Sequence, residues 1–274
     1  MRVLLTNDIH NTRKWYSWLL SQAPRFDLIA IAGDLFDMYD ERGVLPQILA
    51  FDEFSKKVVA SGCALAFCSG NHDGAQERDA DQCLKSLRSL MTNTVRVCQI
   101  VSKPFWADAF DAPLIIPDGR ATILTFRSGE RLLVSTHPFS FDCGIGNSVR
   151  SNELWEVASD LRTAENIPWL ALHHEPVAGS KVGGAKGSTD AKRPVLRKMP
   201  TYIASGHLHG QPYAPSGSWR HRLPKTWCFN AGAAPSECSD IPNHIIIDTT
   251  DNTVAWHASS RGIAPSRNEV VSLI

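Results

Sequence analysis

Five short polar clusters interrupt this chain, each standing where an apolar run stops: Asp8-Ile9-His10, Gly33-Asp34-Leu35-Phe36-Asp37, Gly70-Asn71-His72-Asp73, His173-His174-Glu175-Pro176 and Gly206-His207-Leu208-His209. The runs before them are Val3 to Thr6, Leu28 to Ala32, Ala64 to Cys68, Trp169 to Leu172 and Tyr202 to Ala204. They are short and continuously apolar, the pattern of strands buried on both faces. Thr12 to Gln22, with Trp15, Trp18 and Leu19 on one stripe, predicts a helix between the first two runs. Pro46 to Ala60, carrying Ile48, Leu49, Phe51, Phe54, Val58 and Val59, predicts another between the next two. Strand alternating with helix implies βαβ units and a largely parallel sheet. Ligands of such sheets collect beyond the carboxyl ends of the strands, where all five clusters fall.

The middle of the chain changes character. Ala121 to Phe126 and Arg131 to Thr136 flank Arg127-Ser128-Gly129-Glu130 and predict a β-hairpin. Helical periodicity returns over Glu153 to Glu165, and Trp227 to Asn230, His244 to Asp248 and Val254 to His257 read as late strands. Ala178 to Lys192, rich in Gly, Ser and Lys, is expected to be the most mobile segment, a loop over the site. No repeat or polar linker divides the chain, so one domain over residues 1–274 is expected.

Composition narrows the partners. Lys plus Arg equals Asp plus Glu, at 28 each, so no global basic field gathers nucleic acid. No apolar stretch approaches a membrane span, and the N-terminus lacks the apolar core of a signal peptide. The seven cysteines, Cys63, Cys68, Cys83, Cys98, Cys143, Cys228 and Cys238, are scattered without a C-x-x-C pair, the pattern of reduced thiols. A cytoplasmic location is the expectation.

Carboxylate, carboxamide and imidazole donors in this order can ring two divalent metals such as Mn, Fe, Ni, Co or Zn, and the scarcity of nearby thiolates argues against a Cys-type zinc site. Asp8 and His10 are two apart and can point the same way as their strand ends, as can His207 and His209. Asp34 has two oxygens with which to bridge two ions. Alone, each motif is an ordinary turn after a strand; their ordered co-occurrence carries the reading.

The series D-x-H, G-D-x-x-D, G-N-H-D, a mid-chain His and G-H-x-H resembles the calcineurin-like metallophosphoesterase superfamily, over residues 8 to 209. The resemblance implies a four-layer α/β/β/α sandwich of two mixed β-sheets flanked by helices. It also implies that Asp8, His10 and His209 bind one metal, Asn71 and His207 a second, and that Asp34 bridges them. The second metal needs a further histidine, which either His173 or His174 could supply; His173 is favoured because it directly ends the run Trp169 to Leu172. His137, after the strand Arg131 to Thr136, is a weaker candidate, better read as a partly buried loop histidine. His72, Asp34 and Asn71 form the expected catalytic group, with His72 facing the phosphate. Asp37 and Asp73 are expected to orient a histidine or close a loop by hydrogen bonds.

With two divalent ions (Mn²⁺, Fe²⁺/Fe³⁺ or Zn²⁺) readying a water for attack, the implied activity is hydrolysis of a phosphoester. Asp37 is followed by Met38-Tyr39, and Gly70-Asn71-His72 by Asp73, both unlike the protein serine/threonine phosphatases of the superfamily. The His-His-x-Pro cluster is similar to that of cyclic-nucleotide and glycerophosphodiester phosphodiesterases. A small-molecule or nucleotide phosphodiester or monoester is therefore the expected substrate. A DNA or RNA nuclease of the repair type is the enzymatic alternative, and a non-catalytic protein-binding scaffold on the same fold is the alternative of another class. Trp106, Trp219 and Trp227 could line a cleft, and Lys181, Lys186, Lys192 and Arg193 could attract phosphate, although core or solvated positions are the simpler readings. Asn230-Ala231-Gly232-Ala233 is expected to support the site from beneath.

Overall fold

The computed structural model describes residues 1–73, 114–139, 146–233, 237, 239–259 and 267–273. The runs singled out above form strands within one residue of their expected bounds: β1 (Arg2–Thr6), β2 (Leu28–Ala32), β3 (Ala64–Cys68), β7 (Trp169–His173) and β8 (Tyr202–Ser205). α1 (Arg13–Gln22) and α2 (Leu45–Ala60) connect the first three. A short β4 (Ile115–Ile116) follows, then the hairpin of β5 (Ala121–Thr125) and β6 (Arg131–His137). α3 (Gly146–Glu165) is longer than the periodicity indicated. α4 (Thr189–Lys198), β9 (Arg220–Arg222), β10 (Trp227–Asn230), β11 (His244–Asp248), β12 (Thr253–Ala258) and β13 (Arg267–Ser272) complete the described elements.

The strands make two mixed sheets, ordered β13-β12-β11-β1-β2-β3-β4 and β5-β6-β7-β8-β10-β9. β1, β2 and β3 run parallel in one; β6, β7, β8 and β10 run parallel in the other. Strand periodicity sorts the side chains into three cores. Val3, Leu5, Ala30 and Ala66 face Leu132, Val134, Leu172 and Phe229 between the sheets. Their alternates Leu4, Ile29, Ile31 and Phe67 pack under Trp15, Leu19, Phe51 and Phe54 of α1 and α2. On the other side Leu133, Ala171 and Ile203 pack under Trp155 of α3 and Val195 of α4. Three apolar interfaces between four layers give the α/β/β/α sandwich. Among the described residues no helix is long and apolar enough to cross a membrane.

The expected mobile loop over Ala178 to Lys192 is corrected by the structure. Ser180, Val182 and Ala191 are buried, and Ala178 N donates to Ser188 O at 3.0 Å while Ser188 N donates to Pro176 O at 2.7 Å. Ser188 then caps α4 through Oγ, which accepts from Ala191 N at 3.3 Å. Its glycines serve tight turns instead of freedom: a Cβ on Gly183 would overlap the Val177 carbonyl. Lys181, Lys186, Lys192 and Arg193 are exposed on this segment. Trp219 is a core residue stacked on Trp256 and Phe229, Trp227 stacks on Phe229, and Trp106 lies outside the described residues. Cys63, Cys68 and Cys228 are buried free thiols, and the other four cysteines lie outside the described residues.

Candidate metal centre

The two groups of parallel strands end at one pole, and the loops after β1, β2, β3, β7 and β8 meet there. Backbone bonds hold them in step: Asp8 N donates to Gly33 O (3.1 Å), His10 N to Asp34 O (2.9 Å) and Gly206 N to His174 O (2.8 Å). The loops turn back sharply enough to need left-handed backbone. Among the described residues, eight other than glycine have positive φ, and five of them are Asp8, His10, Asn11, Asp34 and His207. Each such residue costs about 1–3 kcal/mol, and a cost concentrated at one pole marks a site shaped for more than stability.

Asp8, His10, Asp34 and His209 bring one donor atom apiece within 4.8 Å of one another. His209 Nε2 lies 3.2 Å from Asp8 Oδ1, His10 Nε2 lies 3.8 Å from Asp34 Oδ2, and the two ring nitrogens are 3.5 Å apart. On the other side of Asp34 a second group gathers around Asn71. Its Oδ1 is 3.0 Å from His174 Nε2 and 2.8 Å from His207 Nδ1, and His174 Nε2 is 3.3 Å from Asp34 Oδ2. One carboxylate oxygen of Asp34 thus faces both groups.

The structure brings His174, not His173, into this second group. β7 extends through His173, whose Nδ1 bonds Glu175 O at 2.8 Å. Period-two alternation turns the next side chain to the site, and His174 ends up fully buried there. The preference for the residue directly ending the strand therefore chose the wrong face. His174 Nδ1 bonds Ala32 O at 2.9 Å, fixing the ring so that Nε2 points at Asp34 and Asn71. An imidazole anchored to a backbone carbonyl through one nitrogen is the usual arrangement of a metal-binding histidine. His137 is fully buried, bonded to Ser135 Oγ (2.9 Å) and stacked on Trp155 at 3.9 Å, away from the donors.

Glycine is required where the histidine and carboxylate press on backbone. Gly33 has φ +83° and a Cβ there would overlap the His174 ring; one on Gly70 would overlap Asp34 Oδ1. Asp73 fulfils its expected loop-closing role. Its oxygens accept Phe36 N (2.9 Å) and Gly70 N (2.8 Å), tying the Asp34 loop to the Asn71 loop. Burial, reinforced by the Asp34 charge, raises its carboxyl to about 8. Asp37 braces its own loop, because buried Gln47 donates to its carbonyl (2.9 Å) and accepts its N–H (2.8 Å).

Two buried carboxamides hold the centre from beneath. Asn7 donates to Asp8 Oδ2 and accepts Ala231 N at 3.2 Å, joining the end of β1 to the end of β10. Asn230 donates to the carbonyls of Gly206 and Leu208, both at 3.3 Å, and accepts Gly232 N at 2.8 Å, clamping the loop that carries His207. The sequence pointed to Asn230 as support, but Asn7 was missed; its signal was a carboxamide at the buried end of a strand.

Charge explains the pKa pattern. Burial would raise Asp8, yet the bond to His209 and the charges of His209, His174 and His10 hold it well below the usual carboxylate range. Burial likewise opposes protonation of His174, but Asp34 lifts it to about 9. His209 is raised by its bond to Asp8, whereas burial lowers His10 and His207. Buried carboxylates clustered with imidazoles and a carboxamide need compensating positive charge, and an oxygen/imidazole donor set suits borderline divalent ions. The residues fit a metal centre.

Fold and site together define a metallophosphoesterase-type sandwich. The family profile of calcineurin-like phosphoesterases matches residues 1–211, so this chain belongs to that family. No curated protein matches the sequence. Among solved structures, TT1561 of Thermus thermophilus is similar with a TM-score of 0.55 and 12% identity, over 100% of this chain and 99% of that one. Purple acid phosphatase PPD1 from yellow lupin (Lupinus luteus) seeds gives a TM-score of 0.53 and 11% identity, over 99% of this chain and 53% of that one. At these identities the likeness concerns the fold.

Proposed function

We propose that this protein is a binuclear, metal-dependent hydrolase of small-molecule or nucleotide phosphoesters. The observation that carries the reading is the position of Asp34 Oδ2, between His10 Nε2 at 3.8 Å and His174 Nε2 at 3.3 Å. Asp8, His10 and His209 would hold one cation, Asn71, His174 and His207 the other, and Asp34 would be shared. Two such cations, when bound, lower the pKa of a water toward neutrality and offset the charge of a phosphoester.

The chain's own residues then do the orienting. His72 is half-buried, edge-on to the His10 ring at 4.6 Å, and its N–H is held by Asp34 Oδ1 at 2.8 Å. Its Nδ1 is buried without a hydrogen-bond partner among the described residues; the role we assign to this ring, from its place beside His10, is to meet a phosphoryl oxygen or to give a proton to the leaving oxygen. Asn7, Asp73 and Asn230 fix the loops, so no reorganisation is needed when charge develops. A shallow, open depression of about 540 Å³, lined by polar and charged side chains, lies beside His10 and gives solvent and solutes access to the donor cluster.

The test is hydrolysis of p-nitrophenyl phosphate and bis-p-nitrophenyl phosphate by Mn²⁺-loaded protein, extended to 2′,3′- and 3′,5′-cyclic nucleotides and single-stranded DNA. Turnover of the small esters is expected. Turnover of DNA alone would move the assignment to a nuclease, and silence with metal bound would favour a scaffold.

A further inference from the structure

Resting on the binuclear reading above, we infer that Phe139 is a positioning residue for the second half of the centre. Its ring holds the His207 imidazole toward Asn71 and shields from water the cation that Asn71, His174 and His207 would share. Phe139 is half-buried and stands two residues beyond β6. Its ring is edge-on to His174 at 5.8 Å and tilted against His207 at 6.4 Å, and those two imidazoles are edge-on to each other at 5.2 Å. The three rings form a triangle in which two corners carry donor atoms and the third is apolar.

A half-buried phenylalanine ordinarily needs no role beyond packing. Two observations separate Phe139 from that case. First, His207 depends on packing for its orientation. The other histidine of this group, His174, is fully buried and anchored through Nδ1 to Ala32 O at 2.9 Å. His207 has no such anchor: its Nδ1 lies 2.8 Å from Asn71 Oδ1, and its Nε2 has no hydrogen-bond partner among the described residues. A ligand ring must be locked by packing or by a supporting hydrogen bond to keep its aim, and the rings against His207 are those of His174 and Phe139.

Second, the strand end that carries Phe139 is fixed by polar groups that the proposed chemistry leaves unused. Phe139 N donates to Oγ of the buried Ser69 at 2.9 Å, and Ser69 lies two residues before Asn71, so the apolar ring and the carboxamide are set from one point. Two residues before Phe139, His137 is held by Ser135 Oγ at 2.9 Å, which accepts Trp169 Nε1 at 2.8 Å, and is stacked on Trp155 at 3.9 Å. His137 keeps Nδ1 buried without a partner among the described residues, an unfavourable burial that a plain strand end does not need. The two halves of the centre are thus unlike. The side chains of His10 and His209 are 24% and 37% exposed, whereas His174 is at 0% with Phe139 against it. An apolar surface beside metal ligands limits the access of solvent to the ion.

Chelator-stripped protein titrated with Co²⁺, followed by calorimetry and by visible absorption, reads each half of the centre separately. Wild-type protein is expected to bind in two steps, one lost in His174→Ala and the other in His10→Ala, which identifies them. Phe139→Ala is expected to weaken the step that His174→Ala removes by about 10- to 100-fold, the loss typical when support of a ligand is taken away, and to shift the absorption of that step. The other step should be unchanged, and Phe139→Tyr, which keeps the ring, should bind both ions as the wild type does. Two unchanged steps in Phe139→Ala, equal weakening of both, or no recovery in Phe139→Tyr would each overturn the role of Phe139 alone. A wild-type protein that binds a single ion would overturn the binuclear reading and this role together.

Discussion

Replacing His174 or His173 by alanine in parallel separates two adjacent residues that the structure assigns to different work. Both are buried and both bond a carbonyl, His174 to Ala32 O at 2.9 Å and His173 to Glu175 O at 2.8 Å. Each truncation strands a buried acceptor, at roughly 1–3 kcal/mol, and leaves a ring-sized void costing about as much again. On the proposed binuclear reading, the His174→Ala protein would also forfeit stabilisation by a second cation, about 2.7 kcal/mol when metal is present at a hundredfold its dissociation constant. Melting temperature should thus fall in both variants, by ~2–4 °C per kcal/mol for a chain of this size, and further in His174→Ala. Stability alone does not discriminate, but metal content does. Mass spectrometry of dialysed, Mn²⁺-loaded protein is expected to show two ions per chain in His173→Ala and one in His174→Ala. The reverse pattern, or two ions in both, would refute the reasoning from ring orientation.

Three further outcomes follow from the geometry. Asn230→Ala strips donors from the carbonyls of Gly206 and Leu208, so urea unfolding should show a loss of about 1–3 kcal/mol and metal titration weaker binding at both sites, since the loop carries His207 and His209. His72→Ala should keep its metal yet lose about 10²–10⁴ in turnover; unchanged kcat would remove His72 from the chemistry. His244, paired with Thr6 at the end of β1, is held neutral by burial, and its pKa falls to about 4 against an ordinary 6.5. Because the folded value is depressed, the unfolded chain binds the extra proton between these limits. Its contribution, about 3 kcal/mol, is complete above pH 6.5 and lost as pH falls toward 4. His244→Asn should flatten that part of the stability profile relative to wild type, measured by urea unfolding at fixed metal concentration; parallel profiles would contradict it.

Much of this molecule was legible because strands buried on both faces leave short unbroken apolar runs, and β2, β3, β10 and β11 have the bounds read from them. The donors were legible for the same reason, since a polar cluster directly after such a run lies at the sheet's carboxyl edge. Orientation was less so. Whether His173 or His174 faces Asp34 depends on how far β7 continues and on its pleat, a difference of one residue. The segment from Ala178 to Lys192 misled because glycines that permit close packing, as Gly183 does against Val177, have the same composition as glycines that loosen a loop. Asn7 was missed because a carboxamide ending a strand is a weak signal by itself, and its partner Ala231 comes next to it only through the packing of the two sheets.

The most direct test of the central claim is a titration of chelator-stripped protein with Mn²⁺ while hydrolysis of bis-p-nitrophenyl phosphate is followed. Two cations sharing Asp34 predict activity that stays low through the first equivalent, rises with the second and disappears in Asp34→Asn. Full activity at one equivalent, or an active Asp34→Asn protein, would contradict a shared binuclear centre.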